Sequence, residues 1–206
     1  MATAARLGRP PATDSAETRA RILDAARRKF AAHGFDSASN RALAEAAELT
    51  TGAIYHYFDS KLDIYVAVYE EATQRVYDRL EKAIVGRETF VARLEATLEE
   101  SHQLNREDPT LALFLGTSRV DAARDPVLAE ALRKVETTLR IDFFVDMIDL
   151  GVSTGEIKPK DRPLVTALVR TITVGLTDAV SHNLEAQRHA IDAINRLLAG
   201  TLIERV

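Results

Sequence analysis

Residues 50–61 concentrate side chains that suit contact with nucleic acid. Thr50 is a good N-cap, because its hydroxyl can accept from amides left unpaired at a helix start. Ile54 and Phe58 are four residues apart, so they share one face and can anchor a short helix to a core. Residues 55–57, Tyr-His-Tyr, place rings and donors on the remaining faces. This pattern is typical of a helix whose N-terminal turn enters a DNA major groove.

The residues directly upstream complete a helix-turn-helix unit. Residues 39–47 predict a short helix with Ser39 as its N-cap and with Leu43 and Ala47 on its inner face. Residues 48–49 form a tight connection into Thr50. A helix, a short turn and a second helix are the helix-turn-helix plan.

A longer helix over residues 16–33 precedes this unit. Asp14 and Glu17 have the spacing of a capping box at its start. Gly34 is predicted to end it, with Phe35 folding back on the core. The apolar stripe of this helix consists of Ile22, Leu23, Ala26 and Phe30.

Several short motifs together resemble the tetracycline-repressor (TetR) family of one-component bacterial regulators. They are His-Gly-Phe at 33–35, Leu-Ala-Glu-Ala-Ala at 43–47, Gly-Ala-Ile-Tyr-His-Tyr-Phe at 52–58, and Ser-Lys at 60–61. The resemblance is specific over about residues 16–65 and elsewhere rests on length and helical layout. It implies an all-α fold, with an N-terminal three-helix helix-turn-helix DNA-binding domain followed by a larger helical ligand-binding and dimerisation domain.

Three positions depart from the family pattern. Glu48 stands in the turn where the family usually has glycine, and a left-handed backbone there costs on the order of 1 kcal/mol relative to glycine. Thr51 stands where the recognition helix often carries lysine, and Asn40 replaces an apolar residue. These differences leave the fold in place and bear on turn geometry, one phosphate contact and the operator sequence.

The resemblance implies roles in DNA contact for individual residues. Tyr57 and Lys61 are expected to contact phosphates. The candidates for base edges and nearby backbone are Thr51, Gly52, Ala53, Tyr55 and His56, and the further DNA-binding candidates are Arg9, Ser39, Arg41 and Thr50.

Each of four DNA-contact assignments has a plainer alternative. Tyr55 could be a partly buried ring packed on the first helix, and His56 an ordinary surface histidine. Ser39 could act as a cap only. Arg9 lies in a Gly-Arg-Pro arm suited to a narrow minor groove, and the alternative is an unstructured tail.

The charge distribution suggests few phosphate contacts per subunit. Residues 1–65 hold 9 Lys and Arg against 8 Asp and Glu, whereas the remainder holds 18 against 23. The N-terminal part is therefore not a basic block, and its affinity must come from local arrangement and from a dimer. The chain has no cysteine, which excludes disulfides and thiolate metal sites.

The rest of the chain is predicted to be helical. A long helix over residues 60–85 starts with a capping box at Ser60 and Asp63 and links the DNA unit to the second domain. Further helices are expected over residues 88–106, briefly after Pro109, over 125–150, and then, after a loop at 151–163, over 164–183 and 186–203.

Apolar residues on more than one side of these helices predict an effector cavity. The ligand-binding candidates are Phe90, Leu94, Leu98, His102, Phe114, Phe143, Phe144, Met147 and Thr177. The alternative for the apolar candidates is ordinary core, and for His102 and Thr177 it is a solvated or locally satisfied side chain. Asp142, Asp146 and Asp149 share one helix face, which indicates a solvated surface rather than a cation site.

The last two helices carry apolar stripes that predict a homodimer. The candidates for the dimer interface are Leu168, Ile172, Gly175, Leu176, Ala179, Ile191, Ile194 and Leu198. In the family the last two long helices of each subunit form a four-helix interface. The alternative is that these stripes only seal the core within one chain.

The sequence thus predicts a flexible arm at residues 1–15, a DNA-binding domain at 16–60 and an effector-binding and dimerisation domain at 61–206. We expect a ligand-responsive repressor that binds a near-palindromic operator as a dimer and releases it on binding a small, apolar effector. The alternatives are an activator on the same fold, or a helical small-molecule-binding protein or enzyme without a regulatory role.

The remaining expectations concern chemistry and location. No nucleophile–base pair, metal-ligand set or Gly-rich phosphate loop supports catalysis, so we expect neither an enzyme nor a cofactor nor a metal. The first residues lack the apolar segment of a secretory signal, and no apolar run is long enough to cross a membrane. A cytoplasmic protein without a membrane partner is the expectation.

Overall fold

The computed structural model describes residues 12–135, 138–179 and 182–204, and over these residues the chain is helical without strands. The all-α prediction is confirmed. The helices are α1 (Ala12–Ser37), α2 (Asn40–Ala46), α3 (Thr51–Ile54), α4 (Lys61–Ala83), α5 (Phe90–Glu107), α6 (Pro109–Arg124), α7 (Pro126–Val135), α8 (Thr138–Ser153), α9 (Arg162–Asp178) and α10 (Leu184–Leu198), with a 3₁₀ turn at Pro159–Asp161.

Helix α1 departs from its predicted start and agrees with its predicted end. It begins at Ala12, so Asp14 lies inside the helix and the prediction of a capping box there is wrong. Gly34 interrupts the helical backbone with a φ of 74°. Glycine adopts this left-handed conformation without the Cβ clash that other residues suffer, so the chain can turn back here.

The N-cap of helix α4 was predicted from local sequence. Ser60 Oγ accepts from the Asp63 N–H at 3.1 Å and donates to the Asp63 carboxylate at 2.8 Å. The helix ends at Ala83, two residues before its predicted end at 85, and Gly86 follows with a φ of 74°. Hydroxyl caps satisfy amides that a helix start leaves unpaired, which is why they mark boundaries in a sequence.

A first core joins the helix-turn-helix unit to α6 and α7. Tyr65 from α4 lies at its centre, fully buried, with its ring 4.6 Å from that of Phe30 and 5.2 Å from that of Phe114. Leu128 and Leu132 of α7 close the same cluster. The helix-turn-helix unit is therefore packed against helices from the second half of the chain.

A second core lies between α5, α8, α9 and α10. Its buried members include Phe90, Leu94, Leu98, Met147, Ile148, Val169, Leu176 and Ile191. Gly151 on α8 allows α5 to approach closely, because a Cβ at this position would lie 2.7 Å from the Phe90 Cβ. The α8 helix extends to Ser153, into the segment predicted to be a loop.

Other predicted boundaries need correction. The short helix after Pro109 is the 16-residue α6. The helix predicted over residues 125–150 is described over Pro126–Val135 and Thr138–Ser153, and residues 136–137 lie outside the described residues. Helices α9 and α10 end at Asp178 and Leu198, short of the predicted ends at 183 and 203.

Candidate nucleic-acid interface and internal cavity

The helix-turn-helix is built by the caps that the sequence predicted. Ser39 Oγ accepts from the Ala42 N–H, and Thr50 Oγ1 accepts from the Ala53 N–H, each at 3.1 Å. Helix α3 is short and spans only Thr51–Ile54. The chain continues beyond α3 in hydrogen-bonded turns, in which the Tyr57 N–H donates to the Ile54 carbonyl at 2.9 Å.

Glu48 forms the sharp turn between α2 and α3. Its φ is 58°, the left-handed value at which the family usually has glycine. The Leu49 N–H donates to the Ala44 carbonyl at 2.9 Å, as in a helix end closed by a left-handed residue. The turn thus keeps its shape with glutamate in place of glycine.

The residues predicted to read bases lie around the start of α3. Thr51, Gly52, Tyr55 and His56 are exposed, whereas Ala53 is half-buried. The structure gives Tyr55 an exposed ring, at 42%, and its hydroxyl accepts from the Asn40 side-chain amide. The first turn of α3 is sterically open, because among the described residues no atom lies within 4 Å of a Cβ placed on Gly52.

The predicted phosphate contacts lie at the flank of this surface. Tyr57 is half-buried and packs against the first core. The Lys61 ammonium donates to the Phe35 carbonyl at 2.7 Å and lies 4.3 Å from the centre of the Phe35 ring. Arg41 pairs with Glu45 at 2.8 Å on the exposed side of α2. Arg9, predicted for the minor groove, lies outside the described residues.

A cavity of about 130 Å³ lies between α4 and the helices that follow it. Helices α4, α5, α6, α8, α9 and α10 all contribute to its wall. The lining residues are Tyr69, Thr73, Val76, Tyr77, Leu80, Thr97, Leu98, Ser101, Leu104, Asn105, Leu111, Ala112, Leu115, Arg119, Phe144, Thr173, Val174, Leu176, Thr177 and Gln187.

Three of the predicted ligand-binding residues line this cavity, namely Leu98, Phe144 and Thr177. The other six lie in the surrounding packing, where the core alternative applies. Phe90, Leu94 and Met147 belong to the second core, Phe114 packs on Tyr65 in the first, Phe143 packs against Tyr77, and His102 is buried beside Gln187. The inner face of α4 was not predicted to line the cavity, because its apolar stripe was interpreted only as part of the core and as the link between the two domains.

The polar residues near the cavity form a partly satisfied network. Gln187 Oε1 lies 2.9 Å from His102 Nδ1 and accepts from the Asn105 side-chain amide at 3.1 Å. Arg119 pairs with Asp178, with its Nε 3.1 Å from the carboxylate and a terminal nitrogen on the second oxygen. Asp178 therefore neutralises the charge of Arg119, and the other residues that line the cavity are uncharged.

Helix α6 lines part of the cavity and also contacts the end of α1. Leu111 and Arg119 face the cavity. The Asp121 carboxylate accepts from the Phe35 N–H and from the Tyr65 hydroxyl, each at 2.8 Å. Burial of the ring and the hydrogen bond to Asp121 raise the pKa of Tyr65 well above its usual range.

The predicted dimer residues divide into two groups. Leu168, Ala179 and Leu198 are exposed, and Ile172, Gly175 and Ile194 are partly exposed. Leu176 and Ile191 need correction, because they are buried in the chain's own second core and are not available to a partner. Further exposed apolar side chains on or beside the last two helices are Leu164, Leu197, Leu202 and Ile203.

The aspartate row on α8 is a solvated face. Asp142, Asp146 and Asp149 are exposed, and Asp149 accepts from Arg162 Nε at 2.7 Å. Within the described part of the chain, no cluster of three or more His, Asp or Glu side chains could hold a metal ion. The described helices also include none with the length and apolar character to cross a membrane.

Comparisons with known proteins agree with this geometry. Residues 22–68 match the profile of the N-terminal domain of bacterial regulatory proteins of the tetR family. The chain is 26% identical to the HTH-type transcriptional regulator UidR of Escherichia coli K12, over 88% of each chain. It is 34% identical over 90 residues to the HTH-type transcriptional repressor Rv1474c of Mycobacterium tuberculosis, covering 44% of this chain and 46% of that protein.

A solved structure shows the same architecture along most of the chain. Salmonella enterica GusR superposes with a TM-score of 0.72 at 27% identity and covers 90% of this chain and 95% of its own. The agreement therefore extends from the helix-turn-helix through the helices that form the cavity.

Proposed function

Because this chain belongs to the TetR family of bacterial transcription regulators, we propose that it is a repressor that a small molecule releases from its operator. The observation that carries the proposal is the position of α6, which lines the cavity and also bonds to the end of α1 through Asp121. The relatives are transcription regulators, so this chain is a regulator and not an enzyme.

The proposed DNA contact places the start of α3 in the major groove. The open Gly52 turn lets the backbone approach the duplex, while Thr51, Tyr55 and His56 face outward. Tyr57, Lys61, Ser39 and Arg41 would then meet phosphates on either side, and Arg9 would lie in the neighbouring minor groove. Phosphate contacts set affinity and register, while the exposed side chains of α3 set sequence preference.

The proposed operator is a near-palindrome read by a homodimer. The exposed residues of α9 and α10, Leu164, Leu168, Leu197 and Leu198, support an interface formed by the last two helices of each subunit. Two reading units one helical turn apart, about 34–36 Å, match two half-sites. Dimerisation doubles the phosphate contacts of a domain that is not basic.

The proposed effector acts by shifting the reading units. A molecule in the cavity touches α4 and α6, and both helices bond to Phe35 at the end of α1, α6 through Asp121 and α4 through Lys61. We keep the proposed domain boundary near residues 60–61. Helix α6 is then a second link between the two domains, beside α4. Effector and DNA must lower each other's affinity by the same factor, because binding free energies are linked.

The name of the relative Rv1474c, a transcriptional repressor, supports repression as the sign of regulation. An activator on the same fold is the second candidate function. Deleting the gene raises transcription from the bound promoter in the first case and lowers it in the second.

Genomic selection tests the proposal directly. Purified protein is mixed with fragmented genomic DNA from its source at about 150 mM salt, where weak non-specific contacts fade, and the retained fragments are sequenced. We expect one or a few near-palindromic sites. The wild-type protein is first freed of bound small molecules by refolding. If it then recovers all fragments equally, the proposal is overturned. The matched control is a double variant with Tyr57→Phe and Lys61→Ala.

A further inference from the structure

The cavity contains a buried hydroxyl that its own surroundings leave unsatisfied. The Thr73 side chain lines the cavity and is only 6% exposed. Among the described residues, none hydrogen-bonds to its Oγ1. A buried polar group without a partner costs free energy, so a bound molecule that supplies one gains affinity at this position.

Four other hydroxyls of the cavity wall differ from that of Thr73, because each already donates its proton within the protein. Thr97, Ser101, Thr173 and Thr177 each donate to a backbone carbonyl of their own helix, at 2.8 to 3.1 Å. A hydroxyl has one proton and two lone pairs, so each of these oxygens keeps only acceptor capacity. The group that complements them is a donor, an O–H or an N–H.

The wall offers no unpaired charge to a ligand. Arg119 is the charged residue of the lining, and Asp178 holds its guanidinium through two contacts. A carboxylate or phosphate entering the cavity would have to displace Asp178 or be buried without a counter-ion, and either event is costly. The chemistry of the site therefore favours an uncharged molecule.

The size of the cavity limits the ligand further. Its volume of about 130 Å³ is close to the roughly 150 Å³ of an engineered protein cavity that admits benzene. The rings of Tyr69, Tyr77 and Phe144 contribute to the wall. One ring or a short chain of similar volume fills such a space.

We propose that the effector is an uncharged, single-ring or short-chain molecule that carries a hydroxyl, of the phenol or alcohol class. Its hydroxyl donates to a threonine or serine oxygen of the wall and accepts from Thr73. This inference rests on the proposed function and specifies the ligand of the same site.

Phenol, anisole and benzoate are the probes, titrated by calorimetry into the purified full-length protein. Phenol keeps the ring and the donor, anisole loses the donor, and benzoate adds a charge. We expect phenol to bind about tenfold more tightly than anisole, and benzoate to bind more weakly than either. Equal affinities for phenol and anisole, tighter binding of benzoate, or no binding of phenol would overturn the proposal.

Two threonine variants test the contacts themselves. Thr73→Val preserves shape and removes a donor, so it should weaken phenol and anisole alike by about five- to tenfold, because both keep an oxygen that accepts from Thr73. Thr177→Val should also weaken phenol. Thr166→Val is the matched control for Thr177→Val, because Thr166 makes the same bond to a carbonyl four residues earlier, at 2.9 Å, but is exposed on α9. If Thr73→Val and Thr177→Val bind phenol like the wild type, the assigned contacts are wrong.

A DNA-binding readout separates this proposal from the proposed function. If phenol binds as expected and DNA affinity does not change, release by an effector fails while the ligand chemistry stands. If the protein selects operator sites but phenol does not bind, the regulator stands and the ligand chemistry fails.

Discussion

Tyr65 on α4 donates its hydroxyl proton to the carboxylate of Asp121 on α6, at 2.8 Å, inside the first core. The same carboxylate accepts from the Phe35 N–H just after the Gly34 turn. One side chain therefore links α1, α4 and α6. Since α6 also lines the cavity, this link is one of the described connections between the cavity wall and the end of α1.

Removing this carboxylate should destabilise the protein. Asp121→Ala leaves the Tyr65 hydroxyl and the Phe35 N–H without their acceptor, and we expect a loss of about 1–3 kcal/mol in the free energy of unfolding. Tyr65→Phe should cost about 1 kcal/mol, and the double variant less than the sum of the two. Urea denaturation measures all three, with the exposed Asp146→Ala as control. Additive losses would contradict the direct bond.

Stability should fall at alkaline pH because of Tyr65. Its pKa is raised in the folded protein, chiefly by burial and then by Asp121, so the folded state keeps the proton that the unfolded state loses above about pH 10. The stabilisation is complete below pH 10 and declines as the pH rises further. Tyr65→Phe should show a shallower decline between about pH 10 and 12 in denaturation experiments. Parallel curves for the two proteins would refute this assignment.

Gly34→Ala should be more damaging than Gly86→Ala. Both glycines have a φ of 74°, but a Cβ at Gly34 would lie 2.9 Å from Asp121 Oδ1, whereas among the described residues no atom lies within 4 Å of one at Gly86. Each variant incurs left-handed strain of about 1 kcal/mol, and Gly34→Ala adds the displacement of Asp121. Thermal unfolding of both proteins measures the difference. Equal shifts in Tm would mean that Asp121 moves aside freely.

Glu48→Gly should stabilise the protein. Glu48 has a φ of 58°, and glycine relieves left-handed strain of about 1 kcal/mol. Glu48→Ala is the control, because alanine retains the Cβ that causes the strain. Urea denaturation should show a gain for glycine and little change for alanine, and similar values for the two would show that the glutamate side chain offsets the strain.

DNA affinity should depend on Tyr57 and Lys61 whatever the base sequence of the duplex. Tyr57→Phe and Lys61→Ala are expected to weaken binding to all DNA, and Lys61→Ala to reduce the slope of log affinity against log salt by about one. Thr51 and His56 substitutions should instead change sequence preference. Fluorescence anisotropy with operator and unrelated duplexes measures both effects, with Lys82→Ala at the far end of α4 as control.

Lys61 needs one further measurement. Its ammonium also bonds to the carbonyls of Phe35 and Asp36, at 2.7 and 3.4 Å, so the stability of Lys61→Ala must be recorded beside its affinity. Unchanged affinity in both the Tyr57 and Lys61 variants would show that the docking is wrong.

The parts of the fold that were predictable are local. Ser39, Thr50 and Ser60 were identified as caps, and each accepts from the N–H three residues later. Gly34 was identified as a helix end. Such features involve neighbours in the chain, so residue type and spacing carry their physical cause.

The errors arise where distant helices compete for a residue. Leu176 and Ile191 were assigned to a dimer, but an apolar stripe is the same whether it meets its own chain or another.

The sequence by itself determined an all-helical chain, its helix-turn-helix and its hydroxyl caps, since each depends on short-range backbone geometry. Only the tertiary structure decided which residues line the cavity and how its wall is joined to the end of α1. Asn105 meets Gln187 across 82 residues, and Phe35 meets Asp121 across 86. Contacts over such separations follow from the packing of whole helices, which periodicity along one chain does not encode.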